Sequence, residues 1–192
     1  MKVYYYLNRS GFSNCYIIAN EKNKEAILID PGQVTEGLIN RLEENNLSLT
    51  SVLITHNHKN HVQGLKTLLK IYSPKIYGAD LEIEGVTTTV ISGDGKIKLA
   101  GLLVHHMSLP GHTADSMIYK IENAIFSGDS ISAGTIGSTN SSYSRHILKR
   151  NIEEKIFSLQ DNTVIFPGHG PLTTVGAEKS FNIGFREQKY TD

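Results

Sequence analysis

The chain has 192 residues, with Lys plus Arg and Asp plus Glu at 19 each, so it carries no net formal charge at neutral pH. That length supports one domain with a substantial core, and the balanced charge lacks the basic footprint of a nucleic-acid-binding surface. A single cysteine excludes an intramolecular disulfide, and no run reaches the roughly 20 apolar residues that span a bilayer. The N-terminal Met1-Lys2-Val3-Tyr4-Tyr5-Tyr6 has neither the apolar core nor the small-residue cleavage site of a signal peptide. A cytoplasmic protein acting on a small molecule, with no nucleic-acid or membrane partner, is the expectation.

In chain order, strand-like apolar runs fall at 3–7, 14–19, 26–29, 51–54, 75–77, 87–91, 102–106, 117–121, 124–126 and 163–166, punctuated by glycine, asparagine and proline. Tyr4-Tyr5-Tyr6 reads as an alternating edge strand, and Cys15, within Cys15-Tyr16-Ile17-Ile18-Ala19, as a core thiol. Helical periodicity appears over 36–45, where Thr35 can cap and Leu38, Ile39 and Leu42 form an apolar stripe. It recurs over 62–72, 144–159 and 178–189. Strands followed by helices, twice over, predict two sheets covered by helices in one domain spanning 1–192.

The chemistry concentrates where strands end. Ser51-Val52-Leu53-Ile54 runs directly into Thr55-His56-Asn57-His58-Lys59-Asn60-His61, three imidazoles within six residues. In an extended segment, side chains at i and i+2 point the same way, so His56 and His58 can converge on one point. His61, opening the helical stretch beyond, can face a second point nearby. Neutral imidazole is the commonest metal ligand, so the spacing points to two adjacent metal positions. Three more strand ends carry candidates: His112 in Pro110-Gly111-His112-Thr113, Asp129 in Ser127-Gly128-Asp129-Ser130, and His169 in Pro167-Gly168-His169-Gly170. Each adjoins a glycine, which lets a tight turn project the side chain into a cleft. His105 and His106 are neighbours on a strand, face opposite sides and are set aside; His146 reads as surface, although it and Tyr143 could contact substrate.

The combination resembles the metallo-β-lactamase superfamily, whose signature is His-x-His-x-Asp-His followed by an isolated histidine, an aspartate and a last histidine. Here 56–61, His112, Asp129 and His169 match it, and Asp30, in Leu28-Ile29-Asp30-Pro31-Gly32, matches an early aspartate that supports the metal site from behind. The resemblance implies an α/β fold, an αββα sandwich of two mixed β-sheets flanked by helices, with the metals at one edge. Within the superfamily, the segments around 110–113, 126–130 and 167–179 are most similar to glyoxalase II-type thioesterases, hydroxyacylglutathione hydrolases. That implies hydrolysis of a thioester or ester by metal-hydroxide attack on a carbonyl. Two departures weigh against glutathione thioesters as substrates. Full-length members carry a C-terminal helical extension that helps bind glutathione, and this sequence stops soon after Lys179. The branch's Gly-Arg-x-Asp stretch reads Gly137-Ser138-Thr139-Asn140, losing an arginine and a carboxylate.

The third departure is Asn60, which replaces the aspartate of the main motif. By residue-wise carry-over, His56, His58, His112 and Asp129 form a first metal site. Asn60, His61, His169 and the same Asp129 form a second, with Asp129 and Asn60 the groups nearest the reacting water. An amide oxygen carries no charge, and borderline cations prefer carboxylate. Zinc is therefore expected in one tight and one weak site, with iron or manganese as alternatives. The competing readings are a mononuclear iron dioxygenase of the persulfide type and a catalytically weak metal-binding homologue.

Overall fold

Runs such as Asn14–Asn20 and Ala124–Gly128 are apolar almost throughout rather than alternating, which is what a strand buried on both faces requires. The computed structural model, which describes residues 1–186, builds two six-stranded sheets from them. The first half forms β1 (Lys2–Leu7), β2 (Asn14–Asn20), β3 (Glu25–Ile29), α1 (Glu36–Glu44), β4 (Ser48–Leu53), α2 (Lys59–Val62), α3 (Leu65–Leu68) and β5 (Lys75–Gly78). A short hairpin, β6 (Glu82–Ile83) and β7 (Val86–Thr87), then leads to β8 (Thr89–Val90). The second half contains β9 (Gly95–Leu99), β10 (Leu102–Ser108), β11 (Met117–Ile121), β12 (Ala124–Gly128), the hairpin β13 (Ile131–Ser132) and β14 (Thr135–Ile136), and α4 (Ser142–Lys155). It closes with β15 (Val164–Pro167), β16 (Thr173–Thr174), α5 (Val175–Phe181) and one turn of 3₁₀ helix.

The first sheet runs β1-β2-β3-β4-β5-β8 and the second β16-β15-β12-β11-β10-β9, each mixing parallel and antiparallel neighbours. Three apolar layers result. Tyr16, Ile18, Ile27, Ile29 and Leu53 of the first sheet face Val104, Tyr119, Ile121 and Phe126 of the second. On the outer face of the first sheet, Ile17, Leu28 and Val52 pack under Leu38 and Leu42 of α1 and Leu65 and Leu68 of α3. On the outer face of the second, Ile118, Ile125 and Ile165 pack under Leu148 and Ile152 of α4 and Val175 of α5. This is the αββα sandwich of two mixed sheets that the sequence predicts. Cys15 is fully buried, and burial pushes its thiol far above the ordinary range, so it behaves as a core side chain. No helix among the described residues is long and apolar enough to cross a membrane.

Local departures from the expected elements have tertiary causes. The helix expected over 62–72 is broken into the single turns α2 and α3 around Gly64. The Gly64 amide donates to the Pro31 carbonyl at 3.0 Å, and a β-carbon at Gly64 would collide with that same carbonyl. The strand expected over 87–91 divides, Val86–Thr87 turning back on Glu82–Ile83 and Thr89–Val90 joining β5. β9 is an unpredicted edge strand, closed onto β10 by Ala100 and Gly101, both at positive φ as a tight hairpin turn demands. α4 starts two residues early because Ser141 caps it, its hydroxyl accepting from the Ser144 amide at 3.0 Å, and it ends at Lys155 rather than Leu159. The helix expected over 178–189 begins at Val175, capped by Thr174, and ends at Phe181, where the Asn182 side chain bonds the start of the 3₁₀ turn; 187–189 lie outside the described residues.

Candidate metal centre

The sandwich brings its chemistry-bearing strand ends to one edge. β3 leads directly into Asp30, β4 runs through Thr55 into the histidine segment, β12 leads directly into Asp129, and β15 delivers His169 two residues past its end. β12 and β15 are parallel, so Asp129 and His169 emerge side by side. Gly168 donates its amide to the Gly128 carbonyl at 2.7 Å, and a β-carbon there would collide with Asp129 Oδ1. Only glycine lets the two loops approach this closely. The sheets are tied across this edge by the Tyr119 hydroxyl, which donates to the Ile54 carbonyl at 2.6 Å, and by the Tyr16 hydroxyl, which donates to the Pro167 carbonyl at 2.7 Å.

Two groups of ligand atoms form there. His56, His58, His112 and Asp129 make the first, and His61, Asp129 and His169 the second. In the first, His56 Nε2 and His112 Nε2 lie 2.9 and 3.1 Å from His58 Nδ1, and 3.8 and 3.7 Å from Asp129 Oδ2. A tetrahedron with zinc–ligand bonds of about 2.0–2.1 Å has edges of about 3.3–3.4 Å, which those separations bracket. In the second, His61 Nε2 and His169 Nδ1 lie 3.4 and 2.8 Å from Asp129 Oδ1. One carboxylate thus turns one oxygen to each group.

The outer ring nitrogens decide what the inner ones offer. The Thr55 hydroxyl donates to Asp30 Oδ2 at 2.6 Å, which leaves its oxygen to accept from His56 Nδ1 at 3.0 Å. The Ser138 carbonyl lies 2.7 Å from His112 Nδ1, and Asp30 Oδ2 lies 3.0 Å from His61 Nδ1. Each of these acceptors requires a proton on Nδ1, so the Nε2 atoms of His56, His112 and neutral His61 present lone pairs inward. The lone pairs of His56 and His112 face Asp129 Oδ2 and that of His61 faces Oδ1, and such groups repel one another unless a cation sits among them. His61 Nε2 is buried without a hydrogen-bond partner, as a waiting ligand atom would be. The residues present fit a metal ion.

The electrostatics agree with that division. Burial pushes the His56 imidazole down to about 3, with neighbouring His61 adding to the effect, and burial likewise lowers His58, beside His112. Both are neutral ligands at working pH. Burial also works to lower His61, but the Asp129 and Asp30 carboxylates outweigh it and raise it to about 9. Hydrogen bonding to Asp129 raises His169. Burial acts to raise Asp129, yet the bond to His169 and the neighbouring His61 ring hold the carboxyl well below the usual range.

Asn60 is brought to the rim of the second group. Its Nδ2 lies 3.0 Å from His169 Nε2, its backbone carbonyl accepts from the Ser13 hydroxyl at 2.5 Å, and Gly11 packs against its β-carbon. Asp30 stands behind His61 as expected, its Oδ1 accepting from the Thr55 amide at 2.8 Å. His105, His106 and His146 lie outside both groups.

Residues 8–90 match the model of the metallo-beta-lactamase superfamily. Hydroxyacylglutathione hydrolase GloC of Haemophilus influenzae is 31% identical, covering 88% of this chain and 91% of its own length. The chain belongs to the metallo-beta-lactamase superfamily. A probable polyketide biosynthesis zinc-dependent hydrolase, BaeB of Bacillus velezensis, is 30% identical over 81% of this chain and 72% of the relative. Among solved structures, ETHE1 from Myxococcus xanthus superposes with a TM-score of 0.84 at 25% identity, covering 95% of this chain and 84% of that one.

This superfamily member also uses groups that sequence reading misses. Thr55 links Asp30 to His56, and the carbonyls of Ser138 and Gly11 face the outer nitrogens of His112 and His169, the latter at 3.1 Å. Asp115 accepts from the Asn57 amide at 2.7 Å and anchors the segment between the first two histidines. Backbone acceptors leave no mark on residue type; Thr55, adjoining the motif, was the one with a readable signal.

Proposed function

We propose that this protein is a metal-dependent hydrolase that cleaves a thioester or ester of a small molecule. The convergence of His56, His58 and His112 with Asp129, with the lone pairs of His56 and His112 turned inward, carries the reading. A bound metal, zinc in the first instance, would supply Lewis acidity for the substrate carbonyl and a water acidified to near neutrality. His56, His58, His112 and Asp129 would hold the tighter ion, and His61, His169 and the shared Asp129 a weaker one. Asp129 stays ionised at any working pH, so it would serve as a charged ligand and as a hydrogen-bond acceptor for the reacting water. Asn60 adds no charge: it contacts His169 and brackets that ring from the side opposite Asp129. The names of GloC and BaeB, a hydroxyacylglutathione hydrolase and a zinc-dependent hydrolase, support a hydrolytic role.

The test is metal analysis of protein purified without added metal, paired with hydrolysis of S-lactoylglutathione, neutral thioesters and aryl esters, with and without zinc. Zinc-stimulated turnover of any of these, abolished by His56→Ala, is expected. Inactivity toward the whole panel with zinc, manganese or iron bound refutes the proposal. A second reading, a mononuclear iron dioxygenase of the persulfide type, is favoured by the completeness of the first group alone and by the fold likeness to ETHE1. One equivalent of iron and oxygen consumption with glutathione persulfide, without thioester turnover, would select it.

A further inference from the structure

Two pockets flank the metal edge, one beside each of the outer histidines. The first, of about 230 Å³, lies between the Pro110–Ala114 loop that carries His112 and the start of α4, with Asn140, Tyr143, Ser144 and Ile147 on its far wall. The second, of about 500 Å³, lies between Gly170, Pro171 and Leu172, directly after His169, and Tyr5 and Leu7 on β1. No aspartate, glutamate, lysine or arginine lines either pocket. Part of the polar wall of the first pocket is engaged within the start of α4. The Ser144 hydroxyl donates to Asn140 Oδ1 at 3.0 Å, and Ser141 both caps the Ser144 amide and donates to its hydroxyl at 2.9 Å. The aromatic and aliphatic surface offered to a ligand comes from Tyr143, 74% exposed, with Ile147, Pro110 and Ala114; in the second pocket it comes from Tyr5, Leu7 and Leu172, each about half exposed.

Exposed aromatic and aliphatic side chains beside a polar metal edge gain from covering by an apolar group. A carboxylate placed there would lose hydration without gaining a cationic side chain. We infer that the arms of the substrate on either side of its scissile carbonyl are uncharged and largely apolar, with Tyr143 and Ile147 setting specificity on the His112 side. This rests on the hydrolase reading for the existence of a scissile bond, but the pockets' preference stands apart from it. The substrate class is then a neutral thioester or ester, such as an acyl chain on an uncharged thiol, rather than a thioester of a tripeptide bearing two carboxylates.

The experiment uses the zinc-loaded full chain and a non-hydrolysable matched pair, S-butyl-N-acetylcysteamine and S-butylglutathione, titrated by calorimetry or ligand-observed NMR. The neutral thioether should bind at least tenfold tighter. Tyr143→Ala, at an exposed position where truncation leaves the core intact, should weaken it at least fivefold. Equal or tighter binding of the glutathione compound, or neutral binding indifferent to Tyr143→Ala, overturns the inference. In parallel, the lactoyl thioesters of the same two thiols are assayed for hydrolysis. If neither turns over while the binding preference holds, the hydrolase reading fails and the pocket assignment survives; if both turn over and the preference is missing, the assignment fails alone.

Discussion

Replacing Asn60 with aspartate is the sharpest probe of the unequal pair of metal groups. The side chain lies 3.0 Å from His169 Nε2, and His169 Nδ1 lies 2.8 Å from Asp129 Oδ1, so position 60 reaches the ion only across the imidazole ring. A unit negative charge about 5 Å from the ion, at an effective dielectric of 20, is worth about 3 kcal/mol per unit of uncompensated ion charge. Asp129 already neutralises part of that charge, and the new carboxylate loses hydration at a half-buried site. A net gain of about 1–2 kcal/mol remains, some five- to thirtyfold in affinity for the second equivalent. Aspartate is nearly isosteric with asparagine, so the packing against Gly11 and the backbone bond to Ser13 survive. Zinc titration of apo-protein at pH 8 should therefore show wild type binding one equivalent tightly and a second weakly, with Asn60→Asp tightening only the second. Two equivalents in wild type that both resist dialysis against chelator, or an unchanged second step in Asn60→Asp, would refute the reasoning.

Metal-free protein should be most stable near pH 6.5. His61 is raised to about 9, so its contribution is complete below its unfolded value near 6.5 and is lost as pH climbs through 9; His56 is lowered to about 3, so stability falls as pH drops from 6.5 toward 3. Thermal melts across pH 4–10 with chelator present check this, and a flat profile would contradict both assignments. The same protons compete with metal, so the second equivalent should tighten as pH rises toward 9 while the first changes little over that range. Gly168→Ala forces a methyl against Asp129 Oδ1 and His61 Cε1, and should abolish binding of both equivalents in a titration while costing about 1–3 kcal/mol in denaturant unfolding. Asp30→Ala strips the acceptor from the Thr55 amide, the Thr55 hydroxyl and His61 Nδ1. Each buried donor left unpaired costs about 1–3 kcal/mol, and metal affinity should fall about ten- to hundredfold; unaltered affinity would show that Asp30 does not orient His61.

Strands β2, β3 and β12 were legible because they are buried on both faces, and continuous apolar runs of that length have few other uses. β9 escaped because its solvent-facing Lys96 and Lys98 dilute the pattern of a half-covered edge strand. The break at Gly64 escaped because its cause, the Pro31 carbonyl, lies more than thirty residues earlier in the chain. At the site, His56, His58, His112, Asp129 and His169 were legible from their residue types and strand-end positions, and the two sheets do bring them to one edge.

Residue type alone determined which donors exist: five imidazoles, one shared carboxylate, and an uncharged amide at 60 where a second carboxylate would strengthen the site. Which nitrogen each ring turns inward was decided only by the fold. That choice depends on distant oxygens, the Thr55 hydroxyl, the Asp30 carboxylate and the Ser138 carbonyl, arriving behind the rings within hydrogen-bond reach. The uncharged walls beside His112 and His169 are likewise tertiary, since α4 and β1 reach those histidines only through the packing of the sandwich.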